Sequence, residues 1–429
     1  MMPVSKSNPT SICVLILLLT SFLLLFGLQN ITDIYAKKSY DKIMLLDPNF
    51  KVEAIAKGLK FSTGMAMLDN GDMLVIEKDS GNILRIQNGI KLDPALATVN
   101  VANMSERGLL GIAISKPVNN FIPCYVFLYF TEKNKNNESQ IIGNNLYRYE
   151  LIDNALVNPK LLLKLPAYPG PSHNGGVLKI SPDNKALYLV IGNVNYARQK
   201  NFMTQAQNVK NGPPPDGRGG ILRVTFDGEV VGGNGILGET SPLNKYFAYG
   251  IRNSFGIGFD DITGYLWDTE NGQSKHDEIN LVLPGFNSGS NVVQGMSSYK
   301  KGFNKNTLEE FNGNGIYSDP EFEWLDTIAP TSILFLNSKA LGPKYQDDLF
   351  VGSVKNGTIY HFELNKNRTA LELSGSLSDK IANTSNELAG VTFAKNIGLI
   401  TDLEIGVDGY MYVLSNFNKE GTIFRIGPK

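Results

Sequence analysis

The feature of this chain that most constrains its fold is a tight turn followed by a short strand, which recurs from one end of the sequence to the other. Turns of Asp, Asn and Gly lead into runs of β-branched and aromatic residues at residues 69–76, 79–86, 183–190 and 407–414. Turns of this kind between apolar runs are a strong signal of β-hairpins. Long amphipathic helical patterns are absent after the N-terminal segment, so the sequence predicts an all-β fold.

The repeated hairpin favours a β-propeller over a large sandwich. A small sheet cannot bury both of its faces alone, and such sheets become stable when they stack in a ring. About 390 residues divided into blades of about 40–50 residues give roughly six to eight blades. Similar strand pairs at both ends of the sequence suit a ring whose termini meet, which removes exposed sheet edges. We therefore expect one propeller over residues 40–429.

The N-terminus has the pattern of a targeting segment. Lys6 precedes an apolar run over residues 12–28. Its length of about 17 residues lies between a long signal sequence and a short membrane-spanning helix. Cleavage after Ala36 would remove residues 1–36, whereas a retained segment would anchor the protein to a membrane. In either case we expect the propeller to be extracellular or at the cell surface.

Charge and cysteine content exclude several classes of protein. The formal net charge is −1, so nothing predicts a nucleic-acid partner, which would require a basic face. Of the two cysteines, Cys13 lies in the apolar segment and Cys124 in a predicted strand. These positions make a disulfide between them improbable, and no Cys or His spacing typical of a zinc site occurs.

The motif over residues 171–176, Pro-Ser-His-Asn-Gly-Gly, is the first candidate for chemistry. His173 is one of three histidines in the chain, and it lies on a loop that leads directly into an apolar strand. Histidine titrates nearest neutral pH and is the usual side chain for proton transfer. Loops held by a rigid sheet often carry active-site residues. The alternative interpretation is an exposed loop histidine without a function.

Other segments place charged residues on loops. Arg252 is flanked by glycines within residues 249–256 and could bind an anion or a loop carbonyl. Residues 267–280 carry carboxylates and amides, the hard oxygen ligands that suit Ca²⁺, although a solvated loop would have the same composition. An acidic loop precedes an apolar strand at residues 105–112, and Lys355 lies on a turn.

Four motifs in order resemble one known family. They are Glu106–Gly111, His173–Gly176, Gly250–Asn253 and Glu270–Asn280. Together they resemble the PQQ-dependent soluble glucose/sorbosone (aldose sugar) dehydrogenase family, whose members are six-bladed β-propellers. The resemblance covers about residues 47–429. It implies an oxidoreductase that oxidises the C1 hydroxyl of aldose sugars, with PQQ as hydride acceptor and Ca²⁺ as Lewis acid.

The resemblance also implies a role for each matching residue. His173 matches the catalytic base, and Arg252 matches the cation that stabilises negative charge on the quinone. The positions matching the surroundings of the cofactor and the sugar are Glu106, Asn253, Asp277 and Lys355. The positions matching calcium ligands are Gly272 and Gln273 through their carbonyl oxygens, and Glu278 at a second, structural site.

One segment departs from the family pattern. Before the last blade, family members usually carry Arg-x-Arg-Asp, which pairs with carboxylates of PQQ, and this chain reads Leu-Ile-Thr-Asp at 399–402, so both arginines near Thr401 are absent. Three functions therefore stay open. The first is the oxidation of aldose sugars by an exported protein, with PQQ as hydride acceptor and an unidentified final electron acceptor. The second is a calcium-bearing propeller without PQQ that binds glycans or proteins, and the third is a calcium-dependent sugar lactonase.

Overall fold

The computed structural model describes residues 43–117, 124–152, 154–195, 208–210 and 212–429. The predicted leader at residues 1–36, including the apolar run at 12–28, lies outside the described residues. Within the described ranges no helix is long and apolar enough to cross a membrane.

The described strands form six sheets, which correspond to six blades. Blade 1 consists of Ser62–Met67, Met73–Glu77, Asn82–Gln87 and Ile90–Lys91, with Ala97–Thr98 paired to the third strand. Blade 2 consists of Leu109–Ile114, Cys124–Lys133, Ile141–Ile152 and Ala155–Leu165. Blade 3 consists of Leu178–Ile180, Ala186–Ile191, Gly220–Thr225 and Tyr246–Tyr249, extended by the short strands Phe286–Asn287 and Ile316–Tyr317.

The remaining three sheets include the two ends of the described chain. Blade 4 consists of Ser254–Phe259, Leu266–Glu270, Lys275–Val282, Phe322–Asp326 and Ile381–Ala382. Blade 5 consists of Pro330–Phe335, Leu349–Ser353, Ile359–Phe362, Thr392–Lys395 and Met44–Leu45. Blade 6 consists of Leu399–Ile405, Met411–Phe417 and Glu420–Pro428, completed by the early strand Phe50–Lys60.

Each blade has one strand nearest the axis of the ring, and these six innermost strands begin at Ser62, Leu109, Leu178, Ser254, Pro330 and Leu399. They contact one another in a closed ring from blade 1 to blade 6 and back to blade 1. The ring closes because Phe50–Lys60 pairs with Glu420–Pro428 in one antiparallel sheet. The predicted all-β propeller is therefore confirmed, and the six sheets agree with the expected number of blades.

Apolar side chains fill the spaces between adjacent blades. Between blades 1 and 2, for example, Leu74 and Ile76 belong to the same buried cluster as Leu109 and Leu128. The innermost strands approach one another so closely that Gly111 has no room for a side chain, because a Cβ atom there would lie 1.8 Å from the carbonyl oxygen of Gly176. This close approach leaves only a narrow channel along the axis of the ring.

Short 3₁₀ helices occupy connections outside the sheets, at Leu243–Lys245, Ser297–Tyr299, Lys305–Thr307, Phe311–Gly313, Gly375–Leu377 and Glu387–Val391.

The direction of the innermost strands gathers several loops on one face of the ring, which we call the front face. Glu106, His173 and Asn253 each lie shortly before the innermost strand of blade 2, 3 or 4. In an antiparallel sheet the second strand runs back, so the connection after it lies on the same face. Lys78 and Gly272 lie on such connections in blades 1 and 4. Residues far apart in sequence therefore meet at the front end of the channel.

Candidate active site

The front end of the channel widens into a cavity of ≈ 410 Å³, which we call the front cavity. Five of the predicted site residues line it: Glu106, His173, Arg252, Asn253 and Gly272. The volume falls within the range of small-molecule sites, about 300–1,000 Å³. The structure thus brings together residues from three blades that the sequence analysis had selected separately.

His173 is held in one orientation by a neighbouring amide. Its Nδ1 lies 2.7 Å from Oδ1 of Asn193, and an amide oxygen can only accept, so Nδ1 carries the proton and Nε2 keeps its lone pair. The side chain is 9% exposed, and the backbone φ is +61°. Residues other than glycine rarely adopt this left-handed conformation, which often marks functional sites.

The surroundings of His173 favour its neutral form. Burial lowers the pKa of the imidazole, the cation of Arg252 lowers it further, and the hydrogen bond with Asn193 opposes both, so that the pKa falls to about 4. The imidazole is therefore unprotonated, and able to accept a proton, at neutral pH.

Glu106 connects the loop before blade 2 to the loop of His173. Its Oε2 accepts a hydrogen bond of 2.5 Å from the backbone N–H of His173. Burial raises the pKa of the Glu106 carboxyl, while this hydrogen bond and the cations of Arg252 and Lys78 lower it less strongly. Glu106 thus holds the backbone of His173 and presents a carboxyl group to the front cavity.

Arg252 places a cation in the wall of the front cavity. Its Nη1 donates to the carbonyl oxygen of Asn271 at 2.7 Å, and its backbone N–H donates to Oε1 of Glu270 at 2.7 Å. Burial lowers the pKa of the guanidinium, against the opposing effect of nearby carboxylates, but guanidinium stays charged in proteins. Arg252 can therefore stabilise an anion or developing negative charge in this cavity.

Asn253 lies next to Arg252 and is 4% exposed. Its side-chain oxygen is buried and has no hydrogen-bond partner among the described residues. Buried polar atoms in native proteins are normally paired. The missing donor at this point of the wall is consistent with a site completed by a ligand or a bound water.

Asp277 supports the wall instead of lining it. Its Oδ1 accepts from the backbone N–H of Gly272 at 2.8 Å, and its Oδ2 accepts from Ile328 and Ala329 at 2.7 and 2.8 Å. Gly272 and Ala329 do line the front cavity. Asp277 thereby fixes the loops of blades 4 and 5, and its predicted contact with a cofactor stays a prediction.

Three predicted residues lie apart from the front cavity among the described residues. Lys355 is exposed, its Nζ bonds Oγ1 of Thr327 at 3.1 Å, and it borders a neighbouring surface pocket. Gln273 is exposed beside Gly272. Glu278 is buried opposite Glu270 in the ladder of blade 4.

Calcium binding finds limited support in the geometry. In the ranges that the structure covers, no three Asp, Glu, His or Cys side chains form a group that could hold a metal ion. Ligation by the carbonyl oxygens of Gly272 and Gln273 would not depend on such a group. Burial raises the pKa of Glu278, as does the nearby carboxylate of Glu270, and a cation would relieve this repulsion. The predicted calcium sites fit hard oxygen donors and remain predictions.

The sequence motifs include neither Asn193 nor Lys78. Asn193 follows a buried strand in a segment without a recognisable motif, and only the fold places it beside His173. Lys78 follows an ordinary turn-flanked strand and also lines the front cavity. Thr401 lies in the wall of the same cavity, in the segment where the family pattern has arginine.

The match to a family model decides the relationship of this chain. The model described as Glucose / Sorbosone dehydrogenase matches residues 59–425, which include the innermost strands of all six blades and leave out Met44–Leu45, most of Phe50–Lys60 and the last residues of Glu420–Pro428. The chain belongs to the Glucose / Sorbosone dehydrogenase family. This confirms the resemblance noted in the sequence.

Individual relatives of this Glucose / Sorbosone dehydrogenase family member are distant. Quinoprotein glucose dehydrogenase B of Acinetobacter calcoaceticus is 24% identical over 388 residues, covering 76% of this chain and 78% of the relative. Aldose sugar dehydrogenase YliI of Escherichia coli strain K12 is 27% identical over 214 residues, covering 49% of this chain and 52% of the relative. The PQQ-bound aldose sugar dehydrogenase of Streptomyces coelicolor superposes with a TM-score of 0.63 at 22% identity, covering 89% and 99% of the two chains, and supports the fold.

The front cavity of this family member fits a flat anionic ring. Phe61, Leu110, Val177, Phe255 and Val354 supply apolar wall, against which an aromatic plane can pack. Arg252 supplies the positive charge, and Asn253 supplies an unpaired acceptor. The wall therefore suits a planar anion such as PQQ, provided that the anion also carries a hydrogen-bond donor for Oδ1 of Asn253.

Proposed function

We propose that this protein oxidises aldose sugars at the C1 hydroxyl, with His173 as the catalytic base and PQQ as the hydride acceptor. The family supports the reaction class, and the names of the Escherichia and Acinetobacter relatives support an aldose sugar as substrate and a quinone as cofactor. The quinone in the Streptomyces structure is PQQ. The overall reaction balances: the hydroxyl proton goes to His173, the C1 hydrogen leaves with two electrons, and the sugar becomes a lactone.

The observation that carries this proposal is the orientation of His173. Because Nδ1 donates to Asn193 at 2.7 Å, the basic nitrogen Nε2 is the one available to a substrate in the front cavity. Its low pKa keeps it unprotonated at the pH of the reaction. A proton acceptor beside a fixed cation is the arrangement that alcohol oxidation needs.

The other residues of the front cavity orient His173 and stabilise the charge that develops in the reaction. Arg252 stabilises negative charge that develops opposite the sugar, and Glu106 holds the backbone of His173 in place. Asn253 completes the polar part of the wall.

PQQ, when bound, supplies an electrophilic quinone that takes up the hydride. Arg252 and Asn253 would hold it from blade 4. Ca²⁺, when bound to the carbonyl oxygens of Gly272 and Gln273, supplies Lewis-acid polarisation.

A titration with PQQ in the presence of Ca²⁺, followed by absorbance, tests the proposal together with sugar-dependent reduction of a dye. We expect binding at micromolar PQQ and dye reduction that depends on both PQQ and an aldose. Absence of PQQ binding and of dye reduction would overturn it. Bound calcium without PQQ binding would instead favour a glycan- or protein-binding propeller, and hydrolysis of sugar lactones would favour a lactonase.

We also propose that the protein is exported. The apolar run at residues 12–28 and the small residue Ala36 support this proposal. N-terminal sequencing of the protein recovered outside the cytoplasm would show cleavage after Ala36 or retention of the segment. Recovery of the uncleaved protein in the cytoplasmic fraction would contradict export.

A further inference from the structure

Lys78 is a buried cation in the front cavity that the proposed reaction does not use. It follows the second strand of blade 1 and is 6% exposed. Its Nζ donates to Oδ1 of Asp79 at 2.5 Å and to the carbonyl oxygens of Arg107 at 2.9 Å, Ser105 at 3.0 Å and Asn103 at 3.5 Å. An ammonium group has three donors, and these four acceptors engage all of them.

Three of the four acceptors belong to one loop, and they are the carbonyl oxygens of Asn103, Ser105 and Arg107. The carbonyl oxygens of Ser105 and Arg107 flank Glu106, so Lys78 forms hydrogen bonds with the loop on both sides of Glu106. Ser105 has a φ of +59°, a conformation that a residue with a side chain keeps only where its surroundings hold it. Gly108 packs so closely against the backbone of Lys78 that a Cβ atom at Gly108 would lie 2.4 Å from the carbonyl oxygen of Lys78.

The far side of the same loop holds the segment of His173. Glu106 accepts the hydrogen bond from the backbone N–H of His173 at 2.5 Å. The neighbouring Arg107 donates from Nη2 to the carbonyl oxygen of Ala167 at 2.6 Å. Lys78 of blade 1 thus holds the loop over residues 103–107 by hydrogen bonds. The loop holds the segment of His173 in the same way, through Glu106 and Arg107.

We propose that Lys78 is a positioning residue that sets the location of His173 through the loop over residues 103–107. This inference rests on the proposed function of His173. The donors of Lys78 are engaged by Asp79 and the loop, which leaves none for the sugar or the cofactor. The geometry required of a base is narrow, so a small displacement of His173 lowers the rate without preventing ligand binding.

The variants Lys78→Met and Lys78→Arg test this inference. Lys78→Met removes the donors and keeps most of the aliphatic chain. We expect kcat to fall by up to about 100-fold, the effect of a displacement of about 1 Å, while the KM values for sugar and PQQ stay near those of the wild type. Lys78→Arg keeps a cation that can donate to carbonyl oxygens, and we expect it to recover most of kcat.

Lys245→Met is the matched control. Lys245 also donates to a backbone carbonyl, that of Gly228 at 2.8 Å, but it does not line the front cavity. We expect its kcat to equal that of the wild type. A loss of kcat in Lys245→Met as large as in Lys78→Met would show a general effect of removing such lysines and would overturn the inference.

A second measurement is independent of enzymatic activity. Diethyl pyrocarbonate acylates neutral imidazole, and peptide mass spectrometry can follow the modification of His173 separately from that of His276 and His361. We expect faster modification of His173 in Lys78→Met than in the wild type, with little change in Lys78→Arg. Failure of the proposed function appears as a wild type without activity, whereas failure of this inference appears as an unchanged modification rate.

The remaining outcomes are also decisive. A normal kcat with a raised KM for PQQ in Lys78→Met would assign Lys78 to cofactor binding and overturn the inference. Should Lys78→Met not fold, Lys78→Gln retains a polar head group, and we expect it to show an intermediate loss of kcat and an intermediate modification rate. Wild-type values of both in Lys78→Gln would overturn the inference.

Discussion

Two clusters of charged residues lie along the same channel and differ in how their groups are paired. The front cavity contains Glu106, His173 and Arg252, and a smaller cavity of ≈ 30 Å³ deeper in the channel contains Lys179, Asp402 and Glu404. In the deep cluster Nζ of Lys179 lies 2.5 Å from Oε1 of Glu404. Lys179 belongs to blade 3 and Glu404 to blade 6, so this ion pair spans the channel between opposite blades.

Each group of the deep cluster has a partner. Oδ2 of Asp402 accepts from the backbone N–H of Met65 at 2.8 Å, and Oδ1 accepts from Oγ of Ser332 at 3.2 Å, which joins blade 6 to blades 1 and 5. Burial raises the pKa of Asp402 to about 7. Burial lowers the pKa of Lys179, but Glu404 and Asp402 raise it more.

Within the described ranges, the front cavity differs in having unpaired atoms, Nε2 of His173 and Oδ1 of Asn253. His173 is paired at Nδ1, and among the described residues no hydrogen bond is formed at Nε2. Perturbed pKa values occur in both clusters, so they do not by themselves identify the reactive one. The unpaired basic atom in an accessible cavity therefore indicates the reactive group, whereas the complete pairing of the deep cluster indicates a structural role.

Of the variants considered, the one that removes the base should have the largest effect. We expect His173→Ala to lower kcat by about 100- to 10,000-fold, the usual contribution of general base catalysis. The free energy of unfolding should also fall, by about 1–3 kcal/mol, because the buried amide of Asn193 loses its partner. Steady-state kinetics of the PQQ-loaded protein with an aldose measures the loss.

His361→Gln is the control for His173→Ala. His361 pairs with Asp348 at 2.7 Å in blade 5 and lies outside the front cavity. It should keep its kcat and lose stability. Full sugar oxidation by His173→Ala would remove His173 from the mechanism.

The reverse pattern is expected in the deep cluster. Lys179→Met leaves Glu404 unpaired, and we expect the free energy of unfolding to fall by about 2–3 kcal/mol, less than the about 3–5 kcal/mol for a fully buried pair, because both side chains are about a quarter exposed. Urea unfolding gives this value, and kcat of the folded fraction should be close to that of the wild type.

The double variant Lys179→Met with Glu404→Met should recover part of the lost stability, because no unpaired charge remains. A collapse of kcat in folded Lys179→Met would show that the deep cluster takes part in catalysis and would contradict the division of roles.

The smallest expected effect is a shift in the pH dependence of activity when the partner of His173 is changed. Asn193→Asp places a carboxylate beside the imidazole, which favours the protonated form and raises its pKa by about 1–3 units. In the wild type, with a pKa of about 4, activity should fall only as the pH approaches 4. In the variant the acidic limb of kcat/KM should move to higher pH.

Asn136→Asp adds the same charge on an exposed loop and should leave the profile unchanged. An acidic limb that is identical in Asn193→Asp and the wild type would show that the group titrating there is not His173.

The sequence predicted the fold more completely than the site. Turns and strand patterns are local, and their repetition implied a ring before any contact was known. The motif around His173 and the glycines near Arg252 were also visible, because unusual backbone conformations such as Gly175 and Gly176 with positive φ leave a recognisable composition. Lys355 was selected from the resemblance, and the structure places it outside the wall of the front cavity.

The all-β ring and the identity of the loops that carry polar residues follow from the sequence alone. The side chains that contact one another are known only from the tertiary structure. Asn193, Lys78 and Asp277 gain their roles from hydrogen bonds between segments distant in sequence. The physical reason is that strand patterns follow from local sequence, whereas contacts between loops depend on how the strands of a blade pair and how neighbouring blades pack in the ring.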